Sequence, residues 1–212
     1  MSKAGLPVRQ AGRIRHKGRG KIFVVSGPSG SGKTTLVARL ARDKGFRNRL
    51  IKSVSFTTRR SRPGEKRGRD YLFISEKEFK LRRKEQKILE WTRYLGYYYA
   101  TPKEPVECWL RQGQSVILCL DLKGARRIRR VYPKEAVTIF IIPPSLAELR
   151  ARIEKRCRTA TRELKQRLRL AQDELAGSRE YDYTVANSNF SQALKELKGI
   201  ILGEINYAVC PH

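Results

Sequence analysis

Eight consecutive residues, Gly27-Pro28-Ser29-Gly30-Ser31-Gly32-Lys33-Thr34, constrain this chain more than any other stretch. They follow the apolar run Ile22-Phe23-Val24-Val25 and open into Thr35-Leu36-Val37-Ala38-Arg39-Leu40, which reads as a helix. A G-x-x-x-x-G-K-[ST] string between a strand and a helix is a phosphate-binding loop. Its glycines let the backbone curl until successive N–H groups point at a polyanion. The positive end of the following helix adds to the attraction. Lys33 supplies a mobile charge for the outer phosphates, and the Thr34 hydroxyl suits Mg²⁺.

Strands and helices alternate through the rest of the chain. Strands are expected at Ile22–Ser26, Ile51–Phe56, Tyr71–Ile74, Ser115–Asp121, Val137–Ile142 and Tyr183–Ala186. Helices are expected at Lys33–Lys44, Glu76–Lys87, Pro102–Gln112, Gly124–Val131, Leu146–Arg156, Arg162–Leu175 and Phe190–Tyr207. The stretch from Ile88 to Thr101 is dense in aromatics. Such alternation predicts an α/β fold with a parallel sheet covered by helices, and a ligand at the carboxyl ends of the strands. The 212 residues suffice for one domain with a small insertion.

Composition excludes some classes. No apolar run approaches the ~18 residues of a membrane span. The four cysteines form no C-x-x-C pair, which argues against a metal site and for reduced thiols in a cytoplasmic setting. His16 and His212 lie near the ends of the sequence, away from any catalytic pattern. The formal charge of +27 attracts nucleotides, nucleic acid or anionic membranes without choosing among them. No RNP-type aromatic motif is present, so weak polyanion binding rather than specific nucleic-acid recognition is expected. Residues 1–19 hold no acid and read as a disordered basic tail.

A second cluster narrows the class. It runs Ser53-Val54-Ser55-Phe56-Thr57-Thr58-Arg59-Arg60-Ser61-Arg62-Pro63-Gly64-Glu65, then Gly68, Asp70 and Tyr71. With Leu89-Glu90-Trp91, Gly96-Tyr97-Tyr98-Tyr99-Ala100-Thr101, Leu120-Asp121-Leu122-Lys123-Gly124-Ala125, Ile142-Pro143-Pro144-Ser145 and Tyr181-Asp182-Tyr183-Thr184-Val185-Ala186-Asn187, it resembles the guanylate kinase family from about Gly20 to Ala208. The resemblance implies a P-loop NTPase-type parallel sheet flanked by helices, with an inserted small GMP-binding subdomain and a helical lid. On that pattern the core is 20–50 and 102–208, the GMP-binding subdomain 51–101, the lid about 150–175, and 209–212 a C-terminal tail.

The resemblance also implies roles. ATP with Mg²⁺ is the donor, held by Gly27, Pro28, Ser29, Gly30, Ser31, Gly32, Lys33, Thr34 and Thr35, with Asn187 near the adenine and Thr34 on the metal. GMP is the acceptor. Arg59, Arg62, Tyr71 and Tyr99 match its phosphate contacts, and Ser55, Glu90, Thr101 and Asp121 its base contacts. Arg152, Arg156 and Arg167 match arginines that close over the moving phosphoryl group. The chemistry suits these types: forked arginine donors fit a phosphate dianion, and a carboxylate accepts from guanine N1–H and its 2-amino group.

The chain departs from the family pattern at Ser61, Tyr97, Ala100, Cys119, Lys123 and Cys157. Cys119 stands where an acid is usual, which bears on how Mg²⁺ is held. Other readings are a guanylate-kinase-like binding module that has lost catalysis, a kinase of a phosphorylated sugar, and a nucleic-acid binder. The intact loop opposes the first and the base-reading set opposes the second. Oligomeric state is not legible in the sequence.

Overall fold

The computed structural model describes residues 18–156 and 161–207. The basic stretch up to Lys17, the segment Cys157–Ala160 and the C-terminal tail from Ala208 lie outside the described residues.

Two sheets organise the chain. The larger is parallel, with strands β1 (Ile22–Ser26), β2 (Leu50–Lys52), β7 (Ser115–Cys119), β8 (Ala136–Ile142) and β9 (Tyr183–Ala186) in the order β2-β7-β1-β8-β9. Its central strands are near-continuous apolar runs because both faces are covered. Phe23 and Val25 face α1 (Lys33–Leu40) and α7 (Phe190–Tyr207), where they meet Leu36, Val37, Leu40, Leu197 and Ile201. Ile22 and Val24 face α3 (Lys103–Arg111) and α4 (Leu122–Val131), where they meet Val106, Leu110, Ala125 and Ile128. Each such buried side chain contributes about 1.5–3 kcal/mol.

The smaller sheet comprises β3 (Phe56–Thr57), β4 (Leu72–Phe73), β5 (Ile88–Tyr94) and β6 (Tyr97–Pro102), in the order β4-β3-β6-β5. The aromatic-dense stretch is its antiparallel hairpin. Leu95 and Gly96 form the two-residue turn, with φ of 50° and 85°. Positive φ at both turn positions matches the right-handed strand twist. α2 (Glu76–Lys84) covers this sheet, stacking Phe79 on Tyr98 with centroids 4.4 Å apart. Ser75 caps α2 by accepting from the Glu78 N–H at 3.1 Å. α5 (Leu146–Arg156) and α6 (Thr161–Ala176) share a small core of Leu149, Ile153 and Ala171. Among the described residues no helix is long and apolar enough to cross a membrane.

Several elements differ from the sequence expectation. Ile51–Phe56, read as one strand, is two. The Ser53 N–H makes a last bond to Ile117 O in the large sheet, and the chain then enters the small sheet at Phe56. The first helix ends at Leu40 rather than Lys44. Asp43 accepts from the Gly45 N–H at 2.8 Å and pairs with Lys198 at 2.7 Å, which fixes a separate 3₁₀ turn at Lys44–Phe46. The second helix stops at Lys84 rather than Lys87, because Gln86 has φ of 55°. Arg19, expected in the tail, is ion-paired with Glu107 and Glu135.

Candidate active site

The phosphate loop is held from both sides. Gly27, Gly30 and Gly32 have φ of 144°, 96° and 88°. A Cβ on Gly27 would lie 2.5 Å from Ile141 O, so β8 leaves no room for a side chain there. Lys33 Nζ donates to Gly27 O at 2.7 Å, which folds the lysine back over its own loop. No side chain caps α1, which leaves its first-turn N–H groups to a ligand. Asn187, at the end of β9, is only 6% exposed, and its Nδ2 donates to Ser31 O at 2.7 Å. Its side chain therefore braces the loop.

That brace gives a test. A Cβ on Gly32 would sit 2.3 Å from Asn187 Nδ2, at a φ that costs other residues about 1–2 kcal/mol. Gly32→Ala is expected to weaken ATP binding at least about tenfold by calorimetry. Gly199→Ala in α7, where nothing lies within 4 Å, is the control and should leave binding unchanged.

Facing the loop is a cavity of about 420 Å³ lined by Ser29, Gly30, Gly32, Lys33 and Thr34 on one side and residues of the small sheet on the other. Ser55, Arg59, Arg62, Tyr71, Glu90 and Tyr99 line it, together with Asp121 and Arg167. Arg59 is pre-set: both its terminal and side nitrogens are engaged, with Nη2 on Glu65 at 2.8 and 3.0 Å and Nε on Tyr99 Oη at 3.2 Å. Burial pushes the Tyr71 phenol up to about 12, so it stays a donor. Among the described residues no hydrogen bond or ion pair holds the Arg62 guanidinium, while its backbone N–H donates to Glu65 at 2.8 Å.

Glu90 is buried at the far wall. Its Oε1 accepts from Thr101 Oγ1 at 2.6 Å. Burial, with a further push from Asp121, raises its carboxyl to about 7. Thr101 is itself fully buried and acts on Glu90 rather than lining the cavity. Asp121 caps α4 by accepting from the Gly124 N–H at 2.8 Å, and its second oxygen accepts from Thr92 Oγ1 at 2.7 Å. A cavity with phosphate donors at one end and a buried carboxylate at the other suits a purine nucleotide.

Comparison with known proteins settles the family. The Guanylate kinase family model matches residues 19–204. The chain belongs to the guanylate kinase family. It is 41% identical over 204 residues to the guanylate kinase of Maricaulis maris, covering 96% of this chain and 91% of that one. It is 46% identical over 179 residues to that of Rubrobacter xylanophilus, covering 84% and 92%. The crystal structure of guanylate kinase from Anaplasma phagocytophilum superposes with a TM-score of 0.72 at 31% identity, covering 89% of this chain and 87% of that one. The mixed α/β architecture expected from the sequence is this guanylate kinase fold.

In the guanylate kinase frame the remaining arginines divide. Arg167 on α6 faces the cavity. Arg152 on α5 donates to Gly30 O at 3.3 Å and pairs with Glu148 at 2.8 Å, so it grips the loop from outside. The side chain of Arg156, at the end of α5, lies outside the described residues. Pro28, Ser31, Gly27 and Thr35 shape the loop without lining the cavity.

Sequence reasoning missed three contributors. Glu65 was part of the quoted motif, yet its clamp on Arg59 carries no separate signal. Thr92 reaches Asp121 only because β5 lies over α4, and single residues on a strand do not announce such partners. Glu174 on α6 lines the cavity with Lys33 and Asp121. The Arg167–Glu174 spacing of seven was the available clue, since it puts both on one helix face.

The donor set fits Mg²⁺ in the way that metal meets nucleotides, through few protein oxygens and the substrate phosphates. Thr34 offers a hydroxyl into the cavity. Cys119 lines the same wall, but burial pushes its thiol up, and a neutral sulfur is a poor ligand for a hard cation. Among the described residues no three acidic, histidine or cysteine side chains cluster to cage a metal.

Proposed function

We propose that the protein transfers the terminal phosphoryl group of ATP to GMP, giving ADP and GDP. The observation that carries this is the single cavity joining the phosphate loop to a buried, threonine-bonded Glu90. Guanine offers two adjacent donors to a carboxylate. Adenine lacks the N1–H, which leaves the buried acceptor poorly paired and costly.

Arg59, Arg62, Tyr71 and Tyr99 hold the acceptor phosphate, with Arg59 already oriented by Glu65. Ser55 and Asp121 stand beside the base. The attacking oxygen belongs to a phosphate monoester that is largely dianionic at neutral pH, so no general base is needed. The transfer is in line and loose, and catalysis is positioning plus charge neutralisation. Lys33 swings from Gly27 O onto the outer phosphates, and Arg167 approaches from α6. Thr34 would hold the Mg²⁺ that accompanies ATP, and that metal would supply neutralising charge. Closure of the small sheet and of the α5–α6 pair onto the loop excludes water, so that ATP is not hydrolysed.

The test is a coupled assay with ATP and each of GMP, AMP, CMP and UMP. GMP is expected to exceed the others by at least about 10²-fold in kcat/KM, the scale on which a buried unpaired group rejects an analogue. Equal use of AMP or UMP would overturn the proposal.

A further inference from the structure

Three acidic groups on the cavity wall lie within electrostatic reach of Lys33 or of one another: Cys119, Asp121 and Glu174. Cys119 is a protonated thiol. Asp121 has both oxygens committed, one to the Gly124 N–H and one to Thr92. Glu174 differs from both. Among the described residues it makes no hydrogen bond and no ion pair, although Lys33 attracts it and Asp121 repels it. It is half-buried, and that burial raises its carboxyl to about 7 against the pull of Lys33.

Even half-buried, a carboxylate without a partner carries a desolvation cost. It also faces the space that must take a polyphosphate, which it repels when ionised. A nucleotide brings one group that reverses this, its divalent cation with bound waters. α6 presents Arg167 and Glu174 on the same face, a cation for phosphoryl oxygens and an anion beside it. We infer that Glu174 is a positioning residue for the donor's metal, accepting hydrogen bonds from water on the Mg²⁺ of Mg·ATP. This rests on the ATP-binding reading above. In consequence α6 closes productively on Mg·ATP and not on metal-free ATP.

The test uses the full chain and calorimetric binding of ATP, with Mg²⁺ or with excess chelator, and of GMP. The readout is the ratio of Mg·ATP to metal-free ATP affinity. Partners of metal-bound ligands typically change metal affinity 10–100-fold when removed. Glu174→Gln is expected to lower the ratio about tenfold, with metal-free ATP binding unchanged or tighter and GMP binding unchanged. Glu174→Asp, which keeps the charge on a shorter stem, should fall between wild type and Gln, and carries the test if the Gln variant misfolds. Equal weakening of both ATP forms would overturn the inference in favour of a structural role. Loss confined to GMP would overturn it in favour of a contact with the acceptor. A wild type that binds no ATP in either form would instead sink the reading of the site.

Discussion

Lys33→Ala is expected to lower kcat by about 10²–10³-fold while leaving the fold intact. Removing one preorganised electrostatic donor from a transition state costs about 10²–10³-fold. In the proposed transfer Lys33 carries charge to the outer phosphates. The fold should survive because Lys33 Nζ donates to carbonyls of its own loop, Gly27 O and Pro28 O. Steady-state rates with saturating ATP and GMP, measured beside circular dichroism, check both halves. A folded variant with near-normal turnover would sink the assignment of the loop as the transfer site.

Glu90→Gln is expected to lower kcat/KM for GMP about 10²-fold, chiefly through KM, because an amide cannot accept from both guanine donors. The pH dependence carries a sign. Burial places the Glu90 carboxyl at about 7, and only the ionised form accepts both donors. A proton therefore competes with GMP below about pH 7, so kcat/KM, which reports the free enzyme, falls as pH falls through that value. The acceptor phosphate titrates near pH 6 with either protein. The ratio of wild-type to Gln profiles isolates Glu90 and should shrink toward low pH. A ratio constant from pH 6 to 8 would show that Glu90 does not read the base.

How the site is assembled was only partly legible in the sequence. The phosphate loop could be read locally because its function is backbone conformation, and glycine spacing writes backbone conformation into sequence. The parallel sheet was legible for a similar reason: Phe23, Val25, Ile117 and Ile139 are buried on one face and Ile22, Val24, Val116 and Leu118 on the other, and continuous apolar strands record that. The arginine and tyrosine positions proposed for the acceptor phosphate came through resemblance rather than through any period.

Glu90 shows where local reading ends. It lies on β5, next to a register irregularity between Ile88 and Glu90. Alternation along β5 sends Leu89 into the core and Glu90, with Thr92 and Tyr94, into the cavity. Its carboxyl is raised by burial and by Asp121 against the opposing hydrogen bond from Thr101, and Gly124 packs so close that a Cβ there would come within 3.0 Å of Glu90 Oε2. The break of the expected strand at Ser53 is likewise tertiary, since the chain leaves β7 there and crosses to pair with β6 from Phe56. Asn187 braces the loop from 156 residues away. Sequence determined the loop, the layered α/β fold and the charge types. Which side chains share one cavity, which are spent on each other, and that Glu174 faces Lys33 were decided by tertiary packing, because burial and pairing are properties of neighbours in space and not of neighbours in the chain.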